Sequence, residues 1–365
     1  MRLPRVILVA LSLLVLYLLL WPVPVDPVAW EAPRDRGLVA PFAPNDSLAA
    51  ASLIDLHSHE GPEDAAVDSD GLIYATTAGG RIIRLHAGVD RPEMFAHTGG
   101  RPLGIEFDAD GNLIVANAHA GIQRVSPDGR VVTILSAVDG ERLAYADDVA
   151  VGRDGSIYFS DASSKFGAAE YGGTYGASLL DIMEHGGHGR IIRFDPKTRE
   201  TTILMADLNF ANGVAVSDDQ QFLLVSETAA YRIWRHWLHG PDAGTSEIIL
   251  DNLPGFPDNI NNGLDGRFWV GLIAPRNELL DSASGLPWLR RVVQRLPAFL
   301  RPKATRSAHV IAITADGDVQ MNLQDTAAPV PALTGVLETP DALYLTTLFG
   351  NQLPVLAKSA LVDQP

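Results

Sequence analysis

Phe256 to Gly271 reads FPDNINNGLDGRFWVG: a carboxylate and a carboxamide (Asp258, Asn259), then Gly266 of an Asp-Gly turn eight residues after Asp258, then the strand Phe268-Trp269-Val270. Alone, the stretch is a β-hairpin with a polar start. The frame recurs, however. Asp70-Gly71, Asp110-Gly111 and Asp154-Gly155 precede the β-rich runs 72–75, 113–116 and 157–159. Two degenerate copies place Asp219-Gln220 before 222–225 and Asp341-Ala342 before 343–345. Third strands such as 80–85 and 189–194, and fourth strands such as 131–135 and 201–204, complete four-stranded units. Six units with a period of roughly forty residues, stretched by two insertions, predict an all-β fold. The expected architecture is a six-bladed β-propeller of four-stranded blades over about 52–360. Two unrelated β-sandwiches would have no reason to keep a common frame.

Counting back eight from the second turn residue of each copy gives Glu63, Leu103, Asp147, Asn212, Asp258 and Thr334. Equivalent positions in a propeller are equivalent in space, so all six should start innermost strands and ring the axis at one mouth of the channel. Four of them are Glu, Asp, Asn and Asp, ahead of apolar runs such as Ala65-Ala66-Val67 and Val214-Ala215-Val216. Converging carboxylates repel one another and stay ionised only with a compensating cation. Oxygen donors without sulfur or clustered imidazole favour a hard ion: Ca²⁺, Mg²⁺ or Mn²⁺. The candidate metal ligands are Glu63, Asp147, Asn212, Asp258 and Asn259, with Asp148 a further ligand or a neighbour behind them. An ion with open positions would polarise a carbonyl and acidify bound water. A purely stabilising axial ion is the other reading of the same residues.

Composition sets the outer limits. The chain has 365 residues, 47% apolar and 20% charged, in the ordinary globular range. A net charge of −16 argues against a nucleic-acid partner, which needs a basic footprint. The absence of cysteine excludes disulfides, thiolate nucleophiles and Cys-ligated zinc. At the N-terminus, Arg2 and Arg5 precede an apolar run from Val6 to Trp21, and Asp26, Glu31 and Asp35 follow it. With its flanks the run approaches the ~20 residues a bilayer requires. It is long for a signal-peptide core, and no A-x-A site follows. Residues 1–25 are therefore expected to form an uncleaved transmembrane anchor, with 26–51 as linker. The charge asymmetry places the propeller on the extracytoplasmic side, periplasmic or lumenal.

Several motifs carry a family resemblance: GPED (61–64), GRPLGI (100–105), YFSDASSKF (158–166), ANGVAVS (211–217), SETAAYRI (226–233) and LPGFPDNI (253–260). Together they resemble the strictosidine synthase-like group, and within it the adipocyte plasma membrane-associated protein-like family. That group is similar in turn to the gluconolactonase (senescence marker protein) and paraoxonase families. The resemblance implies that Glu63, Asn212 and Asp258 match metal ligands of gluconolactonases, Asp258 also matching their assigned general base. Asn259 matches a neighbouring ligand in paraoxonases. Asp147 stands where close relatives carry Asn, and Leu103 where paraoxonases carry a catalytic His. No counterpart of the strictosidine synthase catalytic Glu is found, so condensation chemistry is not implied.

His119, after the second blade's inner strands, is a proton-shuttle candidate, with a surface turn histidine the plainer reading. His185 and His188 have loose metal-like spacing in a Gly-rich loop, and Glu227 with Arg232 reads as a structural ion pair. The insertion 163–189 is helical at 178–184 and is expected to overhang a mouth as a lid. The insertion 277–307 holds PWLRRVVQRLPAFLRPK (287–303), a basic amphipathic segment in an acidic chain. It is read as docking on a membrane, gating a hydrophobic substrate, or packing an apolar face on the propeller. The expected function is calcium-dependent hydrolysis of a small lactone or ester, of the lactonase or arylesterase type. In it Asp258, or an adjacent acid such as Asp148, activates water. A non-catalytic binding or scaffold propeller with structural calcium is the alternative.

Overall fold

Second strands of four blades, Ile73–Thr77, Leu113–Asn117, Ile157–Asp161 and Phe222–Glu227, are buried at every residue. Each is covered on both faces by neighbouring blades, which is why it reads as an apolar run rather than an alternation. The computed structural model, describing residues 3–86, 91–301 and 303–362, confirms the six-bladed propeller. Inner strands are Ala65–Val67, Pro102–Phe107, Ala146–Val151, Ala211–Val216, Gly255–Asn262 and Leu333–Glu338. Blades one to five run outward in chain order. Blade six is completed by the N-terminal strand Ser52–Asp55, antiparallel to Gln352–Ala357 with Ser52 opposite Val355. The ring is thus closed by pairing the start of the propeller with its end, a contact between distant segments that the repeat frame did not contain.

The cores lie between blades. Ile114, Ala116 and Ile122 of blade two pack with Phe159, Ile192 and Phe194 of blade three. Trp269 and Val310 of blade five meet Val336 and Leu345 of blade six. Buried Trp269 keeps a partner, its Nε1 donating to Glu338 at 2.7 Å.

The inner strands break register at one level. Pairing slips between Pro102 and Ile105, Ala146 and Val149, Ala211 and Val214, Pro257 and Ile260, and Leu333 and Val336. Each bulge contains the residue found by counting back eight. A bulge bends the strand and re-aims a side chain, so five of the six ring positions are set by the same backbone device. Glycines make room for it. A Cβ on Gly104 would overlap Asp148 of the next blade, and one on Gly213 would overlap the backbone at Asn259 and Ile260.

Helix α1, Leu3–Leu20, covers 18 residues. At 1.5 Å per residue this is about 27 Å, against a hydrocarbon core of about 30 Å. Among the described residues no helix is long and apolar enough to cross a membrane; Met1 and Arg2 of the expected basic flank lie outside them. The stretch 26–51, expected as a linker, is tied down over much of its length. Val28 N donates to Glu184 O at 2.8 Å, Trp30 N to Ser284 O at 3.2 Å and Leu48 N to Gln324 O at 2.9 Å. The first insertion forms α2, Thr174–Glu184, one turn longer than expected. The second forms α3, Glu278–Ser282, and α4, Pro287–Arg295, while Pro302 lies outside the described residues.

Candidate functional site

The bulged residues Leu103, Asp147, Asn212 and Asp258, with Glu63 just ahead of the unbulged strand Ala65–Val67, form part of the wall of a single chamber of about 250 Å³. Its upper wall comes from the insertions: Thr174, Tyr175, Ile182 and Met183 of α2, and Leu279, Arg290 and Val293 of the second. Tyr145, Phe210, Phe256, Ile273 and Phe349 supply an apolar surface between lid and ring.

Within the ring, amides hold acids. Asn212 Nδ2 donates to Asp258 Oδ1, and Asn259 Nδ2 donates to Glu63 Oε1 at 3.0 Å and to the Glu63 carbonyl at 3.2 Å. Thr334, the sixth ring residue, donates its hydroxyl to the Glu63 carbonyl at 2.5 Å. What these bonds leave over is the main observation at the site. Glu63 Oε2, Asp147 Oδ2, Asn212 Oδ1 and Asn259 Oδ1 are buried and without a partner. Buried polar atoms in native proteins are almost always satisfied, so four acceptor oxygens left over in one ring are placed to receive a ligand.

The electrostatics agree. Burial, then Asp258, then Asp147, push the Glu63 carboxyl far above its ordinary range. Burial and Asp258 do the same to Asp147. Burial raises Asp258 to about 7 against the hydrogen bond from Asn212. Buried Arg101, donating to the Gly61 carbonyl at 3.2 Å, is the cation in their field and opposes the rise at Glu63 and Asp147. Burial and the same acids keep the Tyr145 phenol protonated.

Among the described residues no group of three or more His, Cys, Asp or Glu side chains is gathered tightly enough to hold a metal ion. The ring's unpartnered donors are instead mixed, two carboxylate and two amide oxygens, and that set fits a hard divalent cation.

Asn259 does not line the chamber and joins the ring through its bonds to Glu63, while two other sequence candidates fall outside the ensemble. Asp148 does not line the chamber: its Oδ1 accepts from Val149 N and its Oδ2 from Val214 N of the next blade, both at 2.8 Å. Both oxygens are engaged by backbone amides and the carboxylate is off the chamber wall, which sets it apart from a substrate held there. His119 lies in the turn after Leu113–Asn117, away from the chamber wall, with its carbonyl accepting from Arg142 at 2.9 Å. The loose histidine pair is structural: His188 bonds Glu184 at 2.7 Å and His185 stacks on Trp30. Glu227 and Arg232 form the expected ion pair at 2.6 Å. Arg101 and Tyr145 were not singled out from sequence. Each lies two residues before a ring position, a spacing that the repeat frame could have flagged.

Comparison with known proteins settles the family. Models described as "Strictosidine synthase" and "Strictosidine synthase-like, N-terminal" match residues 147–241 and 40–85. The Adipocyte plasma membrane-associated protein of Salmo salar is 33% identical over 93% of this chain and 87% of its own length. This chain belongs to the strictosidine synthase-like family. Within it, Protein STRICTOSIDINE SYNTHASE-LIKE 6 of Arabidopsis thaliana is 32% identical over 86% of this chain and 84% of its own length. Among solved structures, a gluconolactonase from Xanthomonas campestris has a TM-score of 0.62 at 20% identity, covering 91% of this chain and 98% of its own. Regucalcin of Agrobacterium tumefaciens, described as a calcium-binding protein, has 0.58 at 13%, covering 84% and 94%. At these identities the likeness is one of fold.

Proposed function

We propose that this strictosidine synthase-like chain is a divalent-cation-dependent hydrolase of a small lactone or ester, with calcium the ion best matched to the ring. The observation that carries the reading is the set of four buried, unpartnered oxygens on Glu63, Asp147, Asn212 and Asn259. With Asp258 these residues would hold the ion, which when bound would supply positive charge to a substrate carbonyl. The remaining work falls to the chain. Phe210, Phe256 and Phe349 exclude water and seat the apolar part of the substrate. Asp258, oriented by Asn212, takes a proton from water as its oxygen adds to the carbonyl carbon. That proton then passes to the departing alkoxide oxygen, so the ester bond breaks to a carboxylic acid and an alcohol. The fold neighbours, a gluconolactonase and a regucalcin described as a calcium-binding protein, support the same reading.

The same reading places the chain on a membrane. Val6, Leu8, Leu13, Leu16 and Leu20 of α1 are exposed, with no part of the propeller covering them. We read α1 as a single-pass anchor that holds the propeller on the extracytoplasmic side. The name of the salmon relative supports membrane association.

A panel of lactones and aryl esters, assayed with and without chelator, tests the reading. Chelator-sensitive turnover that vanishes in Glu63→Ala and Asn212→Ala is expected. A folded, calcium-binding protein with no turnover across the panel would instead identify a scaffold propeller.

A further inference from the structure

The basic helix α4 has two faces with different surroundings. Arg290 and Val293 are 1% and 8% exposed and line the chamber. Trp288 is 59% exposed, and Phe299 and Leu300 in the turn that follows are 76% and 57% exposed. Residues 287–303 include five cationic side chains and no acidic one, in a chain of net charge −16. Arg290 and Lys303 of the five line the chamber and Arg291 pairs with Asp26; exposed aromatics beside the remaining arginines, Arg295 and Arg301, suit a surface that meets anionic lipid headgroups.

Position strengthens the point. Helix α4 is bonded to the C-terminal end of α1. Arg295 donates to the Leu18 carbonyl at 3.0 Å and to the Trp21 carbonyl at 2.5 Å, and Tyr17 Oη donates to the Arg295 carbonyl at 2.9 Å. Arg291 pairs with Asp26 just beyond. These bonds satisfy carbonyls that a helix end leaves open. They fix α4 at the level where α1 would leave a bilayer. Tyr17 and Trp21 are the residue types that settle at that level.

We propose that the outer face of α4 and the turn 297–301 form a second membrane contact, on anionic lipid, so that the lid of the chamber lies on the bilayer holding α1. The inner face of the same helix walls the chamber, so this contact brings the site to the lipid surface. The substrate class narrows accordingly to amphiphilic lactones or esters that partition into the bilayer. The docking inference rests on α1 entering a membrane, and the substrate corollary rests also on hydrolysis at the axis.

The chain has no native cysteine, so single labels can be placed at will. Full-length Trp288→Cys, Phe299→Cys, Leu13→Cys and Asp110→Cys, each carrying an environment-sensitive fluorophore, are reconstituted into phosphatidylcholine nanodiscs with and without phosphatidylserine. Spin-labelled lipid is the quencher. Asp110 is exposed in the turn beyond the inner strand Pro102–Phe107, at the opposite mouth. Quenching at 13, 288 and 299 but not at 110, several-fold stronger at 288 and 299 with phosphatidylserine, is expected. Quenching at 13 without quenching at 288 and 299 overturns the docking while leaving the anchor standing. No quenching at 13 overturns both. Quenching at 288 and 299 that ignores phosphatidylserine overturns the commitment to anionic lipid. None of these readouts depends on turnover or metal. Slower hydrolysis of a bilayer-borne lactone by Phe299→Ser, with a water-soluble lactone unaffected, is expected if the substrate arrives through the lipid. Equal effects on both lactones would overturn that corollary.

Discussion

Glu63 and Asp64, like Asp147 and Asp148, are adjacent acids with the same burial and opposite employment. The first of each pair keeps an unpartnered oxygen beside the chamber. The second spends both of its own. Asp64 accepts from Ile105 N at 2.9 Å and from Asn261 Nδ2 at 3.0 Å, and Asp148 from Val149 N and Val214 N. Asn261 Oδ1 accepts from Val336 N at 3.0 Å, and Glu106 from Val151 N at 2.7 Å. The axis therefore carries two tiers: an open ring for a ligand, and a closed belt that ties each inner strand to another blade. Burial and charge do not separate the tiers. Satisfaction does.

Removing a belt acid gives the largest expected effect. Asp148→Ala leaves two buried backbone amides unpaired, each costing about 1–3 kcal/mol. The chelated protein should lose on the order of 3 kcal/mol of unfolding free energy, read from urea midpoints. Asp147→Ala removes an unpaired buried carboxyl instead. It should change the stability of the chelated protein by less than about 1 kcal/mol, or raise it, since the lost group had only a desolvation penalty. Equal losses in the two variants would break the division into tiers.

The same division explains how much of the molecule could be read in the sequence. The six-blade frame and the level of the ring followed from the Asp-Gly turns, because a repeat fixes height along a blade. Whether an oxygen at that height is free depends on which amide the next blade offers, and no spacing encodes that. Asp148 therefore passed as a candidate base. Arg101 went unweighed because its role is electrostatic, exercised on acids from other blades. The closing strand Ser52–Asp55 and the tied stretch 26–51 are likewise contacts between segments far apart in sequence. The bulges were hidden too, since a ring residue and an ordinary first strand residue look alike until pairing is seen.

Acidity sharpens the comparison at an intermediate scale. In the chelated protein Asp258 titrates near 7, and Glu63 and Asp147 are raised, whereas unfolded carboxylates release their protons near 4. Between those values the native state holds more protons than the unfolded one, so stability falls as pH rises. Asp64, raised to about 6, adds to the same slope from the belt. The melting temperature of chelated protein should drop by several degrees from about pH 5 to about pH 8, and calcium should flatten the decline. Equal melting temperatures at the two pH values without calcium would mean that the ring is already neutralised by other means.

The smallest expected effect concerns the charge of the ring itself. Glu63, Asp147 and Asp258 carry −3 when ionised, which alone would overcompensate a divalent ion. Arg101 stands in the field of Glu63 and Asp147 and offsets part of that charge. The acid at 147 and the buried arginine then belong to one design, and their replacements should act in opposite directions. Asp147→Asn removes one negative charge from the ring and should weaken calcium binding on the order of tenfold, while Arg101→Met removes the opposing positive charge and should tighten it by a similar factor. Isothermal calorimetry of the two variants against the parent checks both signs. An unchanged affinity in Asp147→Asn would remove Asp147 from the ligand set, and weaker binding in Arg101→Met would show that the guanidinium organises the ring rather than balancing its charge.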